Sequence, residues 1–129
     1  VELDHLFLKE IPDNIAMYAC HGLYDISDNK LTSLKNCPSF VKDNFNCSLN
    51  NLTSLRDGPQ EVQGSYNCAD NKITSLDGIA KIIGGGVDVS YNQLSSLQGI
   101  PTLKSNRLLK VSDNKITSLI IFYVFTIDL

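Results

Sequence analysis

Apolar positions recur along this chain in a fixed relation to asparagine. Asn29, Asn50, Asn71, Asn92 and Asn114 follow one another at intervals of 21, 21, 21 and 22 residues. Five residues before each stands Tyr24, Phe45, Tyr66, Val87 or Leu109, and three before stands Ile26, Cys47, Cys68, Val89 or Val111. Two residues after come Leu31, Leu52, Ile73, Leu94 and Ile116, and five after come Leu34, Leu55, Leu76, Leu97 and Leu119. A fixed period of this length marks a solenoid, in which each repeat buries its apolar face against its neighbours.

The two apolar positions before each Asn alternate with period two, which predicts a short strand with those side chains inward. Successive strands then lie parallel. Asp25, Asn46, Asn67, Asp88 and Lys110, together with Ser27, Ser48, Ala69, Ser90 and Ser112, fall beside them and are expected to point away from the core. A repeated Asn, able to donate and to accept, is expected to be buried and to satisfy backbone groups where the chain leaves the strand. Thr32, Thr53, Thr74 and Thr117, each followed by Ser, are expected to tie adjacent turns together through their hydroxyls. The return segments carry Pro38, Pro59 and Pro101 in one slot and have no room for a long helix, so an extended or polyproline-like return is predicted. The extra residue in the last of them predicts a bulge there. The whole chain, residues 1–129, reads as a single mainly β solenoid domain with short parallel strands on its concave side. Residues 1–20 form an N-terminal cap and irregular first repeat, 21–119 hold five repeat strands, and 120–129 form an apolar C-terminal cap.

Composition narrows the class. With 43% hydrophobic residues the chain can bury a real core, while a net charge of −3 disfavours a sequence-independent nucleic-acid binder. The first residues lack the charged start and apolar middle of a secretory signal, and the longest apolar run, "LIIFYVF", is shorter than a membrane span. Cys47 and Cys68 share a slot with Ile26, Val89 and Val111, which makes them small core residues. Free thiols and a reducing, cytoplasmic location are expected for all of Cys20, Cys37, Cys47 and Cys68.

Runs such as "NFNCSLNNLTSL" and "SYNCADNKITSL" resemble the leucine-rich repeat, in the short form found in bacterial effectors and in proteins encoded by bacteriophages. The resemblance covers about residues 10 to 119. It implies a curved solenoid that binds a protein partner on its concave sheet, and, if the chain is phage-encoded, a host defence or regulatory protein as that partner in the host cytoplasm. The first repeat, stretched by "AMYACHGL", and the apolar end depart from the pattern. Within these 129 residues nothing corresponds to the ubiquitin-ligase domain that some bacterial effectors carry after their repeats.

No constellation for catalysis emerges, so the chain reads as non-enzymatic and without a cofactor. Neither His5 nor His21 lies in the repeat register near a plausible Ser or Cys nucleophile, and His21 beside Cys20 on a strand would face the opposite way, so both read as surface or capping residues. Cys47 and Cys68, alone among aliphatic neighbours, cannot supply the roughly four ligands of a zinc site. "IIGGGVDVS" lacks the Lys-Ser/Thr of a phosphate-binding loop and precedes a strand. "NCS" and "NLT" match the N-glycosylation pattern only because the repeat writes them.

Candidate partner-binding residues are therefore those exposed along the strands: Asp25, Asn46, Asn67, Asp88 and Lys110, with Asp28, Leu49, Asp70, Tyr91 and Asp113 just before each Asn. The acidic ones alternate with non-acidic neighbours about 4.8 Å apart, which disfavours a calcium ladder. They form either a solvated face or an acidic platform for a basic partner, and the exposed Leu49 and Tyr91 favour a partner. The apolar end reads as a cap; the alternative is a structural module that self-associates through it.

Overall fold

The computed structural model describes residues 1–16, 22–104, 106–117 and 126–128. Cys20, His21, Leu119 and the apolar run through residue 125 lie outside the described residues. The repeat phrases fold as the solenoid that their period predicts. Strands β1 (Tyr24–Asp25), β3 (Phe45–Asn46), β5 (Tyr66–Asn67), β7 (Val87–Asp88), β8 (Leu108–Lys110) and β9 (Thr126–Asp128) form a six-stranded parallel sheet in that order. No α-helix is present among the described residues.

The register follows the sequence columns. Tyr24 pairs with Phe45, Phe45 with Tyr66, Tyr66 with Val87 and Val87 with Leu109, so like residues stack on like. The rings of Tyr24, Phe45 and Tyr66 pack in a column inside, the first pair stacked and the second tilted, with centroids 6.1 and 5.0 Å apart. The neighbouring columns Ile26, Cys47, Cys68 and Val89, and Leu31, Leu52, Ile73 and Leu94, are fully buried. Each turn thus closes on the same apolar set as the one before.

The return segments differ from the expectation of an unpaired extended chain. β2 (Phe40–Val41), β4 (Glu61–Val62) and β6 (Ile82–Ile83) pair in parallel as a second, three-stranded sheet. Val41, Val62 and Ile83 face inward at one slot of the period, which gives this sheet its register. In the 22-residue turn the buried residue is Leu103, one position earlier in that turn, and among the described residues no fourth strand follows β6 in this sheet. A one-residue slip reverses which side chains face the core, so the ladder cannot continue in phase.

Between the sheets the chain turns sharply. Cys37, Gly58, Ile79 and Ile100 donate their backbone N–H to Leu34, Leu55, Leu76 and Leu97. The third residue of each turn has positive φ and is Asn36, Asp57, Gly78 or Gly99, types that tolerate the left-handed region. At Gly78 a Cβ would also lie 2.6 Å from the Arg56 nitrogen, so the backbones approach too closely for any side chain. The serine hydroxyls serve these turns rather than bridging between them. Ser33, Ser54, Ser75 and Ser96 Oγ accept from the backbone N–H of Lys35, Arg56, Asp77 and Gln98 within the same turn.

The N-terminal segment adds a rung that the phrase pattern does not reveal. Glu2 bridges Asp25 in parallel; Leu3 donates to the Asp25 carbonyl at 2.7 Å and Asp25 donates to Val1 at 2.8 Å. Leu8 and Ile11 precede Leu31 and Leu34 by 23 residues and take equivalent places, with Ile11 buried. This rung carries Leu6 where the others carry Asn, and its Leu6 and Leu8 amides donate to Asn29 Oδ1 at 3.1 and 2.9 Å.

The core leaves one polar defect. The hydroxyls of Tyr24 and Tyr66 are buried with no hydrogen-bond partner among the described residues. Phe45 occupies the same column between them, so the space accepts a phenyl ring. Tyr66→Phe is expected to raise stability by about 1 kcal/mol, because it removes a desolvated hydroxyl and little packing. Urea unfolding of the variant measures this, and a loss of stability would mean that the hydroxyl is bonded.

Candidate functional site

The outward face of the long sheet has three rows with different tasks. Asp25, Asn46, Asn67 and Asp88 are half-buried, and their side chains turn back on the strand. Asp25 Oδ1 accepts from the Ser27 N–H at 2.9 Å, Asn46 Oδ1 from Ser48 at 3.1 Å, Asn67 Oδ1 from Ala69 at 3.0 Å, and Asp88 Oδ1 from Ser90 at 3.0 Å. Each caps an amide that points out of the sheet. Lys110, in the same row, has no acceptor to offer. Asn46→Arg or Asn67→Arg therefore removes a cap as well as altering the surface.

The next row was expected to point away from the core, and it is nonetheless covered. Ser27, Ser48, Ala69 and Ser90 are buried, since their small side chains sit low between taller neighbours. They form the floor of the face. The third row, Asp28, Leu49, Asp70, Tyr91 and Asp113, is its exposed rim.

Every rim residue lies in the left-handed region, with φ between 50° and 55°. The conformation follows from what comes next. To bury the Asn side chain and return toward the second sheet, the chain must bend sharply at the residue before it, and all five repeats bend in the same way. His5 continues the row in the N-terminal rung, with φ 56°, and its ring contacts the Asp28 carboxylate. Asp accepts this conformation readily, whereas for Leu and Tyr it costs roughly 1–2 kcal/mol. Leu49 and Tyr91 nevertheless occupy it, 51% and 54% exposed. The sequence placed all five residues at the surface but gave no sign of the strain, because three of the five are Asp.

Behind the rim stands the Asn ladder. Asn50 donates to the carbonyls of Ile26, Cys47 and Ser48 at 3.0, 3.1 and 3.2 Å and accepts from the Leu31 N–H at 2.9 Å. Asn71 and Asn92 repeat the arrangement one and two turns on. These side chains are committed to the backbone and are not available to a ligand.

At the far end of the face a pocket of about 360 Å³ is lined by Asn67, Asp88, Arg107 and Lys110 among others. It brings together three of the sheet-face candidates, Asn67, Asp88 and Lys110, with Arg107, which the repeat pattern did not single out. Its opening follows from the longer last turn, which carries Asn106 and Arg107 into the lining. The thiols are elsewhere: Cys47 and Cys68 are buried in the core, and desolvation raises the pKa of both well above the ordinary thiol value. Such thiols are poor nucleophiles. Cys37, Cys47 and Cys68 are free. Among the described residues no group of three or more His, Cys, Asp or Glu could hold a metal ion, and no helix is long and apolar enough to cross a membrane.

No protein-family model matches the chain, and neither a curated protein nor a solved structure matches it.

Proposed function

We propose that this chain is a protein-interaction module of leucine-rich-repeat type, non-enzymatic, binding its partner through the outward face of the long sheet and its rim. One observation carries the reading. The rim slot favours Asp, Asn or Gly, and Asn would space the charged rungs without strain, yet two of its five places hold large apolar side chains about half exposed to water. Large apolar groups held rigidly at a strained, exposed position act as anchors for a partner. The phage-like style of the repeats supports a host protein in the cytoplasm as a target. That extension rests on the resemblance alone.

The test trades stability against binding. Leu49→Asn and Tyr91→Asn are each expected to raise stability by about 0.5–1 kcal/mol as strain is relieved. The double variant is expected to lose the partner that the unaltered chain retains, as read by capture from a candidate host lysate, mass-spectrometric identification and reconstitution with the purified protein. A partner retained equally by the double variant would remove the rim from the binding surface.

A further inference from the structure

The rungs of the rim are not equivalent. In the first, third and fifth the Asn is flanked by Asp and Lys, as Asp28 and Lys30, Asp70 and Lys72, and Asp113 and Lys115. In the second and fourth it is flanked by Leu49 and Asn51, and by Tyr91 and Gln93, with no charge. A two-rung alternation is thus laid over the single-rung period. Part of it has a local cause, since like charges stacked on adjacent strands repel. That cause does not explain why every charged rung carries both signs, nor why the spacers are Leu and Tyr.

Two columns therefore run along the solenoid, acidic before the Asn and basic after it, with every charged member exposed. Asp28 meets His5, whereas Asp70, Asp113, Lys72 and Lys115 have no ion-pair partner among the described residues. Rungs of a parallel ladder are about 4.8 Å apart, so charged rungs recur about every 9.6 Å. A strand presents side chains on one face about every 6.7 Å, and a helix presents heptad positions about every 10.5 Å. Over the four intervals between the five rungs from Asp28 to Asp113 a helix drifts by about 2 Å. A second copy of this chain has the same spacing by identity.

We propose that the occupant of the rim is a second copy of the chain, related by a twofold axis parallel to the solenoid. This rests on the rim being a protein-binding surface and names what binds there. Such an axis lays the acidic column of one copy on the basic column of the other, rung for rung, and reciprocally. Asp70 then faces Lys72 of the second copy, and Leu49 and Tyr91 close over Asn51 and Gln93 of the second copy between the charged rungs. A twofold axis running across the rungs instead sets Asp70 on Asp70, which the charges oppose.

Sedimentation equilibrium of the whole chain tests the pairing. The 14.2 kDa chain is expected to double in mass with rising concentration, and the association to weaken about tenfold on going to molar salt. Asp70→Lys and Lys72→Glu are each expected to weaken association about tenfold or more. The two single variants mixed, and the double variant Asp70→Lys/Lys72→Glu by itself, are expected to recover it, because each restores opposite charges across the axis. Circular dichroism of each variant establishes that it is folded, and the recovered double variant shows that the singles fail by charge. A chain that remains monomeric at all concentrations, or a dimer indifferent to the single exchanges or not recovered by the double, overturns the second copy as occupant. Those results leave a different protein partner open. Leu49→Asn/Tyr91→Asn without effect on any association removes the interaction reading itself.

Discussion

Asn71→Leu is expected to cost about 3–5 kcal/mol, seen as a fall in the urea midpoint. Leucine is close to asparagine in size, so a cavity is not the cause. The side chain donates to the carbonyls of Cys47, Cys68 and Ala69 at 3.0, 3.1 and 3.3 Å and accepts from the Leu52 N–H at 2.9 Å. It thereby joins the ends of two rungs to the start of the return between them. Removing it leaves the buried Leu52 N–H unpaired, at about 1–3 kcal/mol, and takes one donor each from the Cys47, Cys68 and Ala69 carbonyls, which keep Asn50, Asn92 and the Leu49 N–H, at about 0.5–1 kcal/mol apiece. A domain stable by roughly 5–15 kcal/mol gives up a large share of that at one position. Asn114, in a partly buried setting near the end of the ladder, is the internal comparison, and Asn114→Leu is expected to cost about half as much. A loss below about 1 kcal/mol at Asn71 would mean that the ladder is incidental to the fold.

The ladder shows why so much of the fold could be read from the chain. A core slot that must be filled in the same way at every turn is written into the sequence at every turn, so the buried columns from Tyr24 to Leu109 and from Asn29 to Asn92 repeat visibly. Features that occur once or break phase are harder to see. The N-terminal rung has Leu6 in place of Asn and a spacing of 23, and only the pair Leu8 and Ile11 marks it as kin to Leu31 and Leu34. The second sheet was signalled by Val41, Val62 and Ile83 at one slot, but a pair of residues per strand resembles an extended return.

The candidate surface was legible in part. Its residues were placed on one face by their period, and the structure puts them there. Which of them are free to meet a partner was not legible, because that depends on where each side chain turns. Asp25, Asn46, Asn67 and Asp88 fold back onto the amides two residues on, a contact that a polar residue in a strand does not announce. Leu49 and Tyr91 declare their strain only through φ. The same backbone bend that buries the Asn thus holds two apolar side chains out at the rim, so fold and surface share one cause.

Above about pH 8.5 the solenoid is expected to lose stability, approaching a slope of about 3 kcal/mol per pH unit from Cys47 and Cys68 together as the unfolded thiols become fully deprotonated. Both thiols lie wholly inside the core. Desolvation raises each pKa well above its ordinary value, reinforced at Cys47 by the neighbouring Cys68 and at Cys68 by Asp88. In the unfolded chain these thiols release their protons near pH 8.5, while in the folded chain they keep them. The unfolded state then binds fewer protons than the native one, so stability falls as pH rises. The contribution is complete below the unfolded pKa and is lost as the pH climbs toward the raised folded value. Tyr66, whose pKa burial also raises, adds to the slope above about pH 10. Val89 and Val111 fill the same column in later turns, so Cys47→Val/Cys68→Val keeps the packing and removes the titration. Urea midpoints from pH 7.5 to 9.8 are expected to fall for the unaltered chain and to fall less than half as steeply for the double variant, where Cys37, whose pKa burial also raises, still titrates. Equal slopes in the two would mean that the thiols titrate in the folded state as they do in water, which two side chains sealed between stacked rungs cannot do without opening the ladder.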